Sequence, residues 1–453
     1  MKFYTIIISA VAALGGLLFG FDTAVIAGTL QTLRHYFELS DAEIGGLVAA
    51  ASIGCIPGAF FAGRLSDYFG RKKMMLVTAL LYVVAALGCG IAGSFSELVI
   101  YRFIGGLAIG MASALAPIYI SEIAPAGVRG RLGMLQQLAI VLGILVSFIS
   151  NYLIANTASE LITADNQWRY MLAAALIPSV VFFFLLLFVP ESPRWLILKD
   201  RVQQARRIFG RIYFAAAADA EVEIVQADIS KAARKVKFSE IFSPRYRKVV
   251  FIGFVFAAIA QLTGINIIFY YAPLIFEKTH MGGSVLFQTL LTGIVNLIFT
   301  LVAFALIDRV GRKKLLLGGS AVMGCCMLVI GWLFYRENLD NYFVLITIFI
   351  YIGAFACTWG AVLWVYVAEI FPNRIRGSAT SFAIFGNWVS NAIVSYTFPI
   401  MLSGLGAAAT FFAYGLINAG MILFVSRYIF ETKGVALESI EEHYIRTTPV
   451  SNL

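Results

Sequence analysis

The stretch Gly63-Arg64-Leu65-Ser66-Asp67-Tyr68-Phe69-Gly70-Arg71-Lys72-Lys73 recurs later in the chain as Ala305-Leu306-Ile307-Asp308-Arg309-Val310-Gly311-Arg312-Lys313-Lys314. A second pair follows the first. Glu122-Ile123-Ala124-Pro125, running on to Arg129-Gly130, recurs as Glu369-Ile370-Phe371-Pro372, running on to Arg376-Gly377. A weaker echo links Glu191-Ser192-Pro193-Arg194 with Glu431-Thr432-Lys433. The pairs keep one order and nearly one spacing, which coincidence does not produce. They mark a duplicated structural unit and divide the chain into halves at 1–189 and 248–430. A linker at 190–247 joins the halves, and a tail at 431–453 follows them.

Each half is overwhelmingly apolar. Of 453 residues, 60% are hydrophobic and 13% are charged, where a soluble domain carries about 25% charged residues. Too few polar residues remain to cover a soluble fold of this length. The apolar residues fall in blocks of about 20, enough to cross a bilayer core of ~30 Å as helix. Barrel strands would alternate in polarity over ~10 residues, and no such alternation is visible. Twelve blocks are read, at roughly 4–28, 43–63, 74–94, 98–118, 133–153, 169–189, 248–270, 286–307, 315–335, 342–366, 378–400 and 407–430. The expected fold is an all-α membrane protein with twelve transmembrane helices in two pseudo-symmetric six-helix halves. The first block is too long for a signal peptide and carries Gly15, Gly16, Gly20 and Asp22, so it is read as a span.

Charge sets the orientation. The even-numbered connections carry Arg64, Arg71, Lys72 and Lys73, then Arg129 and Arg131, then Arg309, Arg312, Lys313 and Lys314, then Arg374 and Arg376. The long sixth connection adds Arg194, Arg206, Arg207, Arg211, Arg234, Lys235 and Arg247. The odd connections hold little beyond Arg34, Lys278 and Arg336. Short basic loops stay on the cytoplasmic side, so both termini and the even connections are expected there. Topology accounts for the net charge of +9, and no nucleic-acid partner is expected. Within the sixth connection, 201–213 and 219–235 have apolar positions at helical spacing and read as a helical pad beneath the membrane domain.

Several chemistries are excluded. Cys55, Cys89, Cys325, Cys326 and Cys357 all lie in apolar blocks, and His35, His280 and His443 are far apart. Neither a metal site, a disulfide framework nor a cofactor is expected. No nucleophile–base set points to an enzyme. No GxxxxGK[ST] sequence is present, so ATP is not the energy source. Gly105, Gly106 and Gly110 are read as helix-packing positions.

The ordered set Asp67-x-x-Gly70-Arg71-Lys72, Pro190-Glu191-Ser192-Pro193-Arg194-Trp195-Leu196, Gln261-Leu262-Thr263-Gly264-Ile265-Asn266 and Glu431-Thr432-Lys433-Gly434 resembles the sugar porters of the major facilitator superfamily. That family includes bacterial sugar–proton symporters and animal facilitative glucose carriers, and the resemblance covers almost the whole chain. It implies the major facilitator fold, alternating access and a monosaccharide substrate. The chain departs from the family pattern at Tyr68, where Arg is usual, at Ala361 and Phe430, where Pro is usual, and at Ala260, where the family has the first of two glutamines. Ile144 also stands where some symporters have Gln. The departures at Ala260 and Ile144 make the expected sugar site less polar.

Asp22 and Arg102 are ionisable residues well inside apolar spans, each costing ~2.5–3.5 kcal/mol at a helix centre if alone. One reading is a structural ion pair. The other is a proton site at Asp22 with Arg102 as its switchable partner. The resemblance favours the second, because proton-coupled sugar porters have Asp here and uncoupled glucose carriers have Asn. By position, the residues that match the family's sugar contacts are Gln137, Gln261, Asn266, Tyr270, Trp364, Asn387 and Trp388, with Phe19, Tyr271 and Gly360 as further cavity candidates. Amides that donate and accept suit a neutral polyol, and aromatic faces suit its C–H surface. Gln261, Asn266 and Tyr270 are spaced for one helix face. Arg64, Arg71, Glu122, Arg129, Glu191, Asp308, Arg312, Glu369 and Arg376 form reciprocal charge sets expected to close a cytoplasmic gate. The expected protein is a functional monomer in a bacterial inner membrane, moving a monosaccharide with protons; an uncoupled uniporter and a sugar sensor are the alternatives. With the five native cysteines replaced, a cysteine at Asp219 should resist an impermeant thiol reagent in intact cells. Labelling from outside would overturn the topology.

Overall fold

A computed structural model describes residues 3–125, 128–157, 160–213, 215–231, 238–278, 284–337, 342–372 and 374–433. The side chains at 129, 130, 215–217, 228–231, 308 and 368 are not described. The gate candidates Arg129 and Asp308, the pad residues Arg234 and Lys235, and the tail beyond 433 therefore lie outside the description.

All twelve expected spans are helical, and no strand occurs among the described residues. Among the described residues, eleven helices are long and apolar enough to cross a membrane. Span eleven, Arg376–Gly404, is a 29-residue helix that is not among those eleven. Ser378, Thr380, Ser381, Asn387, Ser390, Asn391, Ser395 and Thr397 dilute its apolar residues, and Asn387, Ser390, Asn391 and Ser395 are buried inside the protein. The polarity that weakens its hydropathy is turned inward.

The chain packs as two compact units. The first comprises 1–25, 53–147 and 169–235; the second comprises 26–52, 148–168 and 236–453. Neighbour relations in the first recur in the second. Span one (Phe3–Val25) lies against span four (Phe95–Ile123), as the first part of span seven (Arg247–Leu262) lies against the second part of span ten (Trp359–Ile370). Span three (Arg71–Ile91) packs on spans four and six, as span nine (Arg312–Tyr335) packs on spans ten and twelve. The sequence repeat is thus a repeat of packing.

Several spans are interrupted. Span one gives way to a 3-10 turn at Ile26–Gly28, and span six divides into Gln167–Ala173 and Leu176–Phe188. Span ten breaks at Thr358 between Phe343–Cys357 and Trp359–Ile370. Span seven breaks between Leu262 and Ile265, where Gly264 adopts φ +96°. A break in lipid must find partners inside the protein. The Thr263 carbonyl accepts from the Tyr351 hydroxyl at 2.8 Å and the Asn418 amide at 3.2 Å. The first span of each half, one and seven, is thus followed or broken by an irregular turn.

The sixth connection folds into Pro193–Leu198, Val202–Ile212 and Ala215–Lys231. Trp195, Leu196, Ala205, Phe209, Ala218 and Val222 form its own small core. The last helix begins earlier than expected, because Ala215–Ala218 favours helix yet offers no polar contrast for a periodicity reading. The Trp195 indole N–H donates to the Asp67 carbonyl at 3.0 Å, and the Tyr119 hydroxyl to the Pro190 carbonyl at 2.8 Å. These bonds fasten the pad to the ends of spans two and four.

Gly264→Ala tests the span-seven break. A side chain is strained at this φ, and its Cβ would come 3.1 Å from Met327 Cε. The variant should lose about 1–3 kcal/mol of stability in thermal unfolding of the purified protein. Gly420→Ala, with open space around its Cβ, should not. Equal effects would refute the account.

Candidate functional site

In the first unit, spans one and four bring Asp22 and Arg102 together out of solvent; they are 8% and 2% exposed. Arg102 Nη1 stands 3.1 Å from Asp22 Oδ2 and donates to the Asp22 backbone carbonyl, also at 3.1 Å. Asp22 Oδ2 itself accepts no well-formed hydrogen bond. The contact is therefore electrostatic and single-pointed. A buried carboxylate has low proton affinity beside an arginine and high affinity without one.

Phe19 and Gln137 are half-buried in the same unit. Their neighbour Gln136 was not singled out by sequence, yet it is 7% exposed and neither of its amide atoms has a partner. It lies on Gly16 of span one, where a Cβ would meet its Nε2 at 2.8 Å. The signal in sequence was the Gln136-Gln137 pair; the resemblance drew attention only to the second member.

The second unit gathers the amides. Gln261 Nε2 donates to Asn387 Oδ1 at 3.1 Å, and Asn387 Nδ2 donates to the Ala257 carbonyl at 2.9 Å. Gln261 Oε1 accepts from Asn391 Nδ2 at 3.2 Å and from Asn266 Nδ2. Asn391 Oδ1 accepts from Ser52 at 2.7 Å and from Ser395 at 3.2 Å. Asn391 is the central member that the sequence reading missed, although it is one helical turn from Asn387. The expectation of one continuous face for Gln261 and Asn266 needs correction, because the helix breaks between them. The break itself turns Asn266 back toward Gln261. Gln261, Asn266, Trp364 and Gly360 are half-buried, whereas Tyr270, Asn387 and Trp388 are buried. Ala260 is only 2% exposed. A glutamine there would have to displace its neighbours before it reached a ligand. The network offers amide donors and acceptors that can exchange internal bonds for bonds to hydroxyls at similar energy.

A second set of polar contacts lies where the repeat motifs fall. In the first unit, Arg71 grips Glu122 with two bonds, at 3.1 and 3.0 Å. Glu191 Oε1 accepts from the backbone N–H groups of Arg71 and Lys72 at 2.8 and 3.0 Å. In the second unit, Arg312 binds Glu369 at 3.1 Å, and Glu431 accepts from the N–H groups of Arg312 and Lys313 at 2.9 and 3.0 Å. Thr432 also donates to Glu369 at 2.6 Å. Each glutamate thus satisfies bare N–H groups at a helix start and meets the positive end of its dipole. Gly70 and Gly311, at φ +106° and +96°, turn the chain just before those helices, and a Cβ on either would collide with the glutamate. Arg64 stacks over Phe60 at 5.4 Å and Arg376 donates to the Phe371 carbonyl at 3.3 Å. Every contact in these sets is internal to its own unit.

The family model described as "Sugar (and other) transporter" matches residues 8–444. The chain is 38% identical to the arabinose-proton symporter of Bacillus subtilis (strain 168), over 98% of this chain and 96% of that one. It is 36% identical to the D-xylose-proton symporter of Escherichia coli (strain K12), over 97% and 95%. The structure of the E. coli xylose transporter XylE in an inward open conformation matches with a TM-score of 0.86 at 36% identity, covering 96% of this chain and 99% of that one. XylE bound to 6-bromo-6-deoxy-D-glucose, a proton:xylose symporter of the major facilitator superfamily, matches with a TM-score of 0.82 at 36% identity, over 97% and 99%.

The helix-start glutamates predict a stability loss. Glu191→Gln and Glu431→Gln should each cost about 0.5–2 kcal/mol, by analogy with helix N-caps and charge–dipole contacts. Thermal unfolding in detergent reads the loss, and unchanged midpoints in both variants would refute it.

Proposed function

The chain belongs to the sugar transporter family, and we propose that it is a monosaccharide–proton symporter that works by alternating access. The observation that carries this reading is the buried, single-pointed contact between Asp22 and Arg102. A merely structural pair would gain from the two-bond grip that Arg71 has on Glu122. A pair that must open on each cycle is better served by one contact.

In this reading Asp22 takes up a proton when helix movement draws Arg102 away, and gives it up when the pair re-forms. Each unit of difference in proton affinity between the two states is worth roughly 1.4 kcal/mol of coupling. The sugar is held by the Gln261–Asn266–Asn387 amides with Asn391, by Gln137, and by the aromatic faces of Phe19, Tyr270, Trp364 and Trp388, with Gly360 leaving room beside them. Arg64, Arg71, Glu122, Arg129, Glu191, Asp308, Arg312, Glu369 and Arg376 make up the cytoplasmic gate, in which the Arg71–Glu122 and Arg312–Glu369 pairs stay closed and hold each unit's helix ends together. The repeat halves 1–189 and 248–430 move as the functional domains, with 190–247 as a cytoplasmic pad and 431–453 as a cytoplasmic tail. Both termini lie in the cytoplasm, the membrane is the bacterial inner membrane, and one copy suffices for transport.

Asp22→Asn keeps the shape and removes the titrating group. It should abolish uphill sugar accumulation driven by a pH gradient in proteoliposomes, while sugar binding and counterflow exchange survive. The measurement is concentrative uptake against counterflow in the same vesicles, over a panel of pentoses and hexoses. Uphill accumulation by Asp22→Asn would remove Asp22 from the proton path. A wild type that exchanges sugar but never accumulates it would make the protein a uniporter, and one that binds without moving sugar would make it a sensor.

A further inference from the structure

The second unit contains a cavity that none of the roles above uses. It measures about 420 Å³, within the ~300–1,000 Å³ typical of small-molecule sites. Its walls come from the short helix Leu30–Tyr36, from Asp41, and from the far ends of spans seven and eleven. The charge asymmetry of the loops places this end outside the cell.

The lining is that of a polyol site. Gln31 and Glu277 stand at the rim, joined by a 2.9 Å bond from Gln31 Nε2 to Glu277 Oε1. Arg34 and Asp41 are paired with each other. Tyr271 and Phe398, with ring centroids 5.1 Å apart, are fully buried and back the inner wall. The acids Asp41 and Glu277 are matched by the bases Arg34 and Lys278, with His35 beside them. A balanced set of charges gives neither an anion nor a cation an advantage. A neutral ligand with many hydroxyls can bond a carboxylate, an amide and a guanidinium at once.

We propose that this outer vestibule is a second monosaccharide site, occupied from outside and separate from the amide cluster around Gln261. A hydroxyl bound to Glu277 takes the place of the Gln31 amide. Occupancy therefore exchanges the Gln31–Glu277 bond for bonds to sugar and loosens the link between the outer helix and span seven.

The proposal rests on the sugar-transport reading, and equilibrium binding can separate the two. Purified full-length protein is titrated with radiolabelled xylose, arabinose and glucose. Wild type should bind two molecules of at least one of these sugars per chain. Asn387→Ala should lose the inner site and keep the vestibule site. Leu402→Trp, which fills the vestibule, should keep the inner site alone, and its retained binding also reports that it folds. Glu277→Gln should weaken vestibule binding about tenfold, the equivalent of one charge-assisted hydrogen bond. A single site in wild type, or two sites in Leu402→Trp, overturns the vestibule while leaving the transport reading intact. No binding of any of the three sugars overturns both.

Discussion

A bilayer core offers no partner for a bared backbone group, and this chain nevertheless breaks its helices inside the membrane. The structure is organised around meeting that requirement. At the span-seven break, Tyr351 and Asn418 are aimed at the Thr263 carbonyl, and the Thr263 hydroxyl bonds the Ala260 carbonyl at 2.8 Å. In span ten, the Thr358 hydroxyl donates to the Ala354 carbonyl at 2.6 Å, while the Trp359 indole is held by Ser320 at 2.8 Å. Tyr351, Asn418, Thr263 and Thr358 are thus buried with polar atoms on backbone carbonyls. The amides Gln261 and Asn266 flank the same break, so the discontinuity that threatens the helix also sets the geometry of the candidate sugar site.

The helix starts at Arg71 and Arg312 meet the same requirement with a carboxylate. Glu191 and Glu431 reach them from chain segments far along in sequence, and the arginines then hold Glu122 and Glu369. A single fastener therefore joins the ends of spans two, three, four and six, and its copy joins spans eight, nine, ten and twelve. The contrast with Asp22 is one of geometry. Arg71 uses both arms of its guanidinium on one carboxylate, which suits a joint that holds. Arg102 spends a hydrogen bond on a backbone carbonyl and offers Asp22 a single nitrogen, the looser geometry that the symport proposal calls for.

Much of this was legible in the sequence. The repeat was visible because the fastener needs the same residues in both halves: a glycine that can take positive φ, an arginine behind it, and glutamates at two distant positions. The twelve spans were visible because apolar blocks are long, and span eleven was read correctly even though its inward-facing asparagines and serines dilute it. The interruptions were less legible. Gly264 hinted at the span-seven break, but a face-spacing argument for Gln261 and Asn266 presumes a continuous helix. Asn391, Ser52 and Gln136 stayed hidden because an amide or hydroxyl in an apolar block looks the same whether it glues helices or closes a network. Only three-dimensional partners, or their absence in the case of Gln136, tell these apart.

The second compact unit is assembled from chain that is made at different times. Residues 26–52 and 148–168 belong to it, yet they leave the ribosome well before 236–433 exist. Ser52 waits for Asn391, Gln31 for Glu277, and Phe148 for Phe269. During synthesis the adjoining ends of spans one, two and five are therefore in the membrane with their final neighbours missing. The order of translation leaves a half-built protein whose early polar groups must be sheltered by lipid headgroups, water or the insertion machinery until the later spans arrive.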